Sequence, residues 1–212
     1  MKYKIIQSGS KGNAIIYQDK VMVDCGVPYA DIEEHLKEVK VILLTHEHKD
    51  HFNTSTIMKV AIKHPAIIFV GCEWMIKKLK AIGPMNCREL EISKVWVDGV
   101  NRISVSPFQL YHDVPNCGWR INVDEKMIFH ATDTSTLEGI VAKGYDLYAI
   151  EHNYDETIIH QRMEEETEKG LFSHGYGSIN SHLSKQQAES FIEHNRKKDS
   201  QVLKLHQSTS YL

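Results

Sequence analysis

The apolar positions of this chain come mostly as short unbroken runs and period-two stretches, with a helical period appearing at intervals between them. Residues 2–7 alternate loosely and residues 14–17 and 21–23 are short β-branched runs, which predicts three strands joined by turns at residues 8–13 and at Asp19-Lys20. Pro28 opens an amphipathic stretch in which Ile32, Leu36 and Val39 fall on one helical face. Residues 39–44 are almost continuously apolar, the pattern of a strand buried on both faces. A polar cluster occupies residues 45–51, and a helical pattern covers 54–63. A buried strand over 66–70 follows, then a helix over 73–80 ended by Gly83-Pro84.

Period-two patterning then returns, with strands predicted over residues 88–92, 94–97, 102–110, 119–123 and 127–131. Beyond them the pattern predicts a short helix over 137–142, a buried strand over 147–150 and a strongly charged helix over 155–169. Ser184, with Gln187 three residues on, forms a capping box for a last helix, and residues 202–205 make the final strand. Residues 170–181, rich in Gly and Ser, read as the one flexible-looking stretch. Nothing repeats and no linker-like composition intervenes. The expected architecture is one domain over residues 1–212, with mixed sheets carrying helices on their outer faces.

Composition narrows the class. Of 212 residues, 42% are hydrophobic and 25% charged, which excludes a disordered or collagenous chain. Lys and Arg total 25 against 28 Asp and Glu, a net charge of −3 that excludes a uniformly basic nucleic-acid binder. Two local basic clusters, Lys77, Lys78 and Lys80 and Arg196-Lys197-Lys198, are read as solvated helix faces that would also suit a polyanion. The four cysteines lie far apart with no C-x-x-C pair and are read as reduced thiols. The N-terminal residues lack an apolar core and no run approaches the ~18 residues of a membrane span, so a cytoplasmic chain with no membrane partner is expected. Oligomeric state is left open. The compositional departure is histidine, with 13 residues.

Three of those histidines converge in Thr45-His46-Glu47-His48-Lys49-Asp50-His51, directly after a buried strand. A strand end is rigid, and the loop leaving it can turn several side chains into one space. Imidazole and carboxylate are ligands suited to Zn, Mn or Fe. On an extended segment His46 and His48 share a face, while Asp50 and His51 follow a turn and address a neighbouring position, a spacing that suits two metals.

H-x-H-x-D-H after a hydrophobic strand resembles the signature of the metallo-β-lactamase superfamily, and Asp24-Cys25-Gly26 resembles its D-x-G motif. The resemblance implies an α+β four-layer αββα sandwich, the metallo-β-lactamase fold, in which two mixed sheets are flanked by helices. It implies further ligands at strand ends in the order His, Asp, His. His112 after residues 102–111, Asp133 in an A-T-D-T segment and His206 after residues 203–205 match that order. Ser8-Gly9-Ser10-Lys11-Gly12-Asn13-Ala14 resembles the opening S-G-S-x-G-N-A loop of the superfamily's YycJ/WalJ-like branch. Glu151-His152-Asn153-Tyr154-Asp155 resembles that branch's E-x-N-H-D segment, with Tyr154 where a His often stands. Ser181-His182-Leu183-Ser184 resembles its G-H-L-S, with Ser in place of Gly.

The resemblance implies a hydrolase with two divalent metal ions (Zn, Mn or Fe) and a metal-bridging hydroxide. His46, His48 and His112 would hold one ion, Asp50, His51 and His206 the other, and Asp133 would bridge. Asp50 would orient the nucleophile, and His182 would protonate the leaving oxygen or hold a phosphate oxygen. Asp24, Ser10, Asn13, His152 and Tyr154 would support the ligands or touch substrate. The Cys ligand of true β-lactamases falls where this chain has Asp133, which argues against β-lactam hydrolysis. The substrate expected first is a phosphodiester, in DNA or RNA, with an exonuclease-like activity on DNA foremost. The alternative is a small-molecule hydrolase acting on a lactone, thioester or cyclic nucleotide. The spans between the ligands hold neither a β-CASP domain nor a Gly/Pro/Lys-rich arm of the tRNase Z kind. His35, His64, His130, His160, His174 and His194 are read as surface residues.

Overall fold

Short apolar runs satisfy their backbone groups by pairing, and the computed structural model, which describes residues 1–83, 85–170 and 175–208, pairs them into two six-stranded sheets. The first contains β1 (Tyr3–Gln7), β2 (Ala14–Tyr17), β3 (Val21–Val23), β4 (Val41–Leu43), β5 (Ile68–Gly71) and β6 (Cys87–Glu89), in that spatial order. β1, β2 and β3 are antiparallel, and the sheet becomes parallel from β3 to β6. The second runs β12-β11-β10-β9-β8-β7, from β7 (Trp96–Asp98), β8 (Ile103–Leu110), β9 (Asn116–Val123), β10 (Lys126–Ala131), β11 (Leu147–Glu151) and β12 (Gln201–Leu205). Here β10, β11 and β12 are parallel and β7 to β10 antiparallel. Both sheets are therefore mixed, as expected.

Period two decides which side chains meet between the sheets. Val21, Val23, Val41, Leu43 and Val70 face Val105, Trp119, Ile121, Ile128, Leu147 and Leu205 in one buried cluster. The opposite face of the first sheet is covered by α1 (Tyr29–Ile32), α2 (Thr54–Lys63) and α3 (Glu73–Ile82), through Ile32, Ile57, Val60, Ile76 and Leu79. The opposite face of the second sheet is covered by α6 (Lys185–Asn195) through Ala188 and Ile192. Four layers result. Two further helices, α4 (Glu156–Glu168) and α5 (Gly175–Ser181), connect β11 to α6 around a small cluster of Tyr154, Ile159, Met163 and Ile179.

The helix starts follow from local chemistry. Asn53 accepts the Thr56 N–H, Asp155 that of Thr157, and Ser184 with Gln187 completes the capping box read from the sequence. The amphipathic stretch after Pro28 is only the four residues of α1 followed by a 3-10 turn over Glu33–His35, yet Ile32, Leu36 and Val39 are all buried.

Two expectations are corrected. Residues 137–142 do not form a helix: Gly139 takes a left-handed φ of 76°, and the Ala142 N–H donates to Asn195 Oδ1 instead of continuing a helical ladder. Leu137 and Ala142 are nonetheless buried against the second sheet, and that burial is the source of the misleading apolar spacing. His130 is not a surface residue. It lies fully buried between the sheets, its Nδ1 2.8 Å from Tyr17 Oη. Pro84, residues 171–174 of the Gly/Ser-rich stretch and the reading of His174 lie outside the described residues; within that stretch, 175–181 form α5.

Burial, with the His51 imidazole adding repulsion, holds the His130 pKa down at about 3. A neutral buried His130 stabilises the fold above the unfolded-chain value near 6.5. That contribution declines as pH falls toward about 3, because the unfolded chain alone takes up the proton. Urea unfolding of chelator-treated His130→Gln between pH 7 and 4 is expected to show a shallower acid loss of stability than the unsubstituted chain; equal slopes would contradict this account.

Candidate metal centre

The carboxyl ends of β3, β4, β8, β10, β11 and β12 lie along one edge of the sandwich, and the loops leaving them carry Asp24, His46, His112, Asp133, His152 and His206. Such an edge gathers side chains from strands far apart in sequence. The 45–51 loop is a tight turn, closed by donation from the His51 and Phe52 N–H groups to His48 O.

Asp24 anchors this turn from below. Fully buried, it accepts from Thr45 N (2.9 Å), Thr45 Oγ1 and His51 Nδ1 (2.6 Å). The backbone alongside is laced to the same turn: Asp24 N–H donates to Leu43 O, Cys25 N–H to His51 O and Asn53 N–H to Cys25 O. Gly26 is required by close approach, since a Cβ there would lie 1.7 Å from Asp50 O.

Donor atoms gather in overlapping groups. His46, His48 and His112 meet, with His46 Nε2 and His112 Nε2 3.2 and 3.3 Å from His48 Nδ1. Asp50, His51 and His206 meet, with Asp50 Oδ2 3.6 Å from His51 Nε2 and 3.7 Å from His206 Nε2. Asp133 lies between them, Oδ2 3.1 Å from His51 Nε2 and Oδ1 3.4 Å from His206 Nε2, and it groups with His46 as well. All seven residues proposed from the sequence as ligands are brought together.

These residues fit divalent metal. His51 donates a hydrogen bond from Nδ1 to Asp24, which leaves Nε2 facing an Asp133 oxygen 3.1 Å away. A ring nitrogen and a carboxylate this close in a dry site need a proton or a cation between them. Asp133 Oδ2 and His206 Nε2 are also buried without a hydrogen-bond partner. The protonation tendencies express the same demand. Burial opposes the charge on His51, yet the Asp133 and Asp24 carboxylates outweigh it and hold its pKa well above the usual range. Burial likewise opposes ionisation of Asp133, but His206 and His51 hold it well below the usual carboxylate range. His46 and His112 are pushed down by burial and stay neutral, the form that ligates.

The wider surroundings divide the remaining sequence candidates. Asn13 is brought in, its Nδ2 3.2 Å from Asp50 O and 2.8 Å from His51 Nε2. His182 is brought in, its ring stacked on His206 at 5.2 Å and its Nδ1 3.0 Å from Glu151 Oε2. Ser10 stays exposed on its turn and makes no hydrogen bond among the described residues. His152 is buried but lies away from the cluster, with Lys204 and Glu189 among its charged neighbours. Tyr154 packs with Ile159 and Met163 beneath α4.

Four participants were missed as site residues. Glu151, fully buried, accepts Thr134 N–H (2.7 Å) and Leu183 N–H (3.0 Å) on Oε1 and faces His182 with Oε2. Its signal was a carboxylate closing an otherwise apolar strand. Ser8 Oγ accepts the His206 N–H, and Asp113 Oδ1 lies 3.1 Å from His112 Nε2 and 3.4 Å from His48 Nε2. Asn116 donates from Nδ2 to the carbonyls of Thr132 (3.0 Å) and Asp133 (2.6 Å) and had no sequence signal. It steadies a strained point, because Asp133 has a left-handed φ of 59°, as Asp24 (61°) and His206 (46°) also do.

Two outcomes follow from this geometry. Gly26→Ala is expected to cost about 1–3 kcal/mol of stability, measurable by urea unfolding, since backbone and not a flexible side chain meets the new methyl. Asn116→Ala is expected to weaken divalent-metal binding about 10–100-fold in calorimetric titration of the chelated protein; unchanged affinity would remove Asn116 from the support of Asp133.

Comparison with known proteins agrees with this geometry. Residues 20–198 match the model of the beta-lactamase superfamily domain. Exodeoxyribonuclease WalJ from two strains of Streptococcus pneumoniae is 29% identical over 178 residues, 74% of this chain and 64% of the relative, so the match spans under two thirds of those relatives. Among solved structures, the metallo-beta-lactamase fold protein YhfI from Bacillus subtilis superposes with a TM-score of 0.70 at 14% identity, covering 99% of this chain and 88% of YhfI. Human tRNase Z, short form, gives a TM-score of 0.63 at 16% identity, covering 99% and 93%. At those identities the structural likenesses establish the fold, the αββα sandwich. The chain belongs to the metallo-β-lactamase superfamily, with a YycJ/WalJ-like relation.

Proposed function

We propose that this chain is a divalent-metal-dependent phosphodiesterase acting on nucleic acid, with the end of a DNA strand as its foremost substrate. The observation that carries the reading is Asp133, whose two oxygens face the His51 side and the His206 side of one donor cluster. The donor set is nitrogen and oxygen alone, suited to Zn, Mn or Fe. The name of the 29% identical relatives, an exodeoxyribonuclease, supports the substrate class.

His46, His48 and His112 would hold one ion, Asp50, His51 and His206 a second, with Asp133 shared. Two divalent cations would supply Lewis acidity toward a phosphoryl oxygen and lower the pKa of a water toward neutrality. Around them the chain's own groups hold protons in place. Asp24 orients His51 by accepting a hydrogen bond from its Nδ1. Asp50 is held below the usual carboxylate range: burial opposes ionisation, but His206 and His51 favour it, so it stays an acceptor that can orient water.

Glu151 is pinned by two backbone N–H groups on one oxygen and turns the other to His182 Nδ1. Burial opposes protonation of His182, but its hydrogen bond and ion pair with Glu151 raise its pKa. An imidazolium so held can give a proton from Nε2 to the departing oxygen of a phosphodiester.

Elemental analysis is expected to find two divalent ions per chain, and chelation to abolish hydrolysis. His48→Ala is expected to lose activity; full activity in that variant would overturn the metal assignment. His182→Gln is expected to slow cleavage of an oligonucleotide by about 10²–10⁴-fold, and hydrolysis of bis-p-nitrophenyl phosphate far less, because p-nitrophenolate leaves without a proton. With Mn or Zn added, labelled DNA and bis-p-nitrophenyl phosphate should be cut, while cleavage of a thiolactone alone would favour the small-molecule reading.

A further inference from the structure

The charge around the mouth of the donor cluster is arranged by side. The two basic clusters legible in the sequence are largely neutralised in place: Lys77 pairs with Glu73, Lys78 with Glu47, Arg196 with Glu193 and Lys197 with Asp146. Lys11 and Lys49 differ. Both are exposed, and neither makes an ion pair or side-chain hydrogen bond among the described residues. They are carried on two loops stitched together at the cluster. Asn13, two residues from Lys11, reaches Asp50 O at 3.2 Å and Asp50 Oδ2 at 3.3 Å, and Asp50 follows Lys49 directly. The Lys11 loop is tied again through Ser8 Oγ, which accepts the His206 N–H at 2.9 Å.

The other side of the cluster is richer in carboxylates. α5 ends against it, Ser181 O lying 2.9 Å from His112 Nδ1, and Asp113, with a 63% exposed side chain, lies beside His48 and His112. α4, packed on α5, exposes Glu156, Glu164, Glu165 and Glu168, against the cations Arg162 and Lys169. A polyanion crossing this centre meets unpaired lysines on one side and carboxylates on the other.

Resting on the phosphodiester reading above, we propose that Lys11 and Lys49 form the rim along which the body of a single-stranded polynucleotide lies, so that the strand leaves the centre over the 8–13 and 45–51 loops and its end points toward α5. Bound this way, the strand places successive backbone phosphates against the two ammonium groups, while the α4 side, richer in carboxylates, repels it. Each phosphate contact releases condensed counterions and steepens the salt dependence of binding by about 0.7 per contact for a single strand.

The test is fluorescence anisotropy with a labelled phosphorothioate 12-mer and a dinucleotide, from 50 to 200 mM salt. It compares the unsubstituted protein, Lys11→Gln/Lys49→Gln, and Lys126→Gln/Lys198→Gln. The last pair makes the same charge change at exposed sites on the opposite edge, beside the start of β10 and before β12. Expected is a log–log slope shallower by about 1.4 in the Lys11/Lys49 variant, loss of most of the 12-mer's advantage over the dinucleotide, and an unchanged slope in the control pair. A normal slope in the Lys11/Lys49 variant, or an equal loss in the control pair, would overturn the rim while leaving the phosphodiester reading standing. Salt-independent or absent binding by the unsubstituted protein would overturn both the rim and the nucleic-acid reading.

Discussion

The arrangement depends on one buried carboxylate. Asp24 stands at the end of β3 with no access to solvent and accepts from Thr45 and His51 across the sheet edge. A buried charge left unpaired is costly, so its partners are held firmly once the first sheet forms. That fixes both ends of the 45–51 turn: Thr45 where the turn leaves β4, and His51 where it closes. It also decides which nitrogen of His51 faces the centre. Gly26 completes the constraint sterically, because only a residue without a side chain lets the Asp50 carbonyl approach so closely.

The second sheet meets this anchor with groups of its own. Its β10, β11 and β12 end at the same edge, and each delivers one group: Asp133, Glu151 and His206. Of the nine non-glycine residues with left-handed φ among those described, Asp24, Asp133 and His206 belong to this cluster. Local strain of this kind persists where the surroundings over-determine the backbone, and here the surroundings are visible. Asn116 holds the Asp133 carbonyl, Glu151 the Thr134 N–H, and Ser8 the His206 N–H. Carboxylates and imidazoles thus face one another at distances that demand protons or cations between them.

Charge beyond the cluster is unevenly spread. The loops that carry Asn13 and Asp50 also carry Lys11 and Lys49, which make no ion pair among the described residues, whereas α4, packed on the helix that ends at His112, exposes glutamates together with Arg162 and Lys169. A net charge of −3 conceals such local differences, because it averages over the whole surface.

The run of apolar and polar positions by itself determined the alternation of strands and helices, the H-x-H-x-D-H turn marked where donor side chains converge, and the family resemblance pointed to the strand-end His112, Asp133 and His206. The first two features are local: a buried strand needs an unbroken apolar run, and a loop leaving a rigid strand end can gather side chains into one space. Tertiary structure alone decided the rest. Residues 137–142 carried helical spacing but packed as a turn, because Gly139 and Asn195 claimed the backbone. His130 looked like a surface residue until Tyr17, 113 positions away, supplied its partner. Ser10, His152 and Tyr154 stood in motif positions yet lie apart from the cluster, whereas Glu151 and Asn116 support it from strands whose sequence neighbours are ordinary core. Hydrogen-bond partners and charge balance in a buried site are set by groups distant along the chain, and only folding brings those groups within reach of one another.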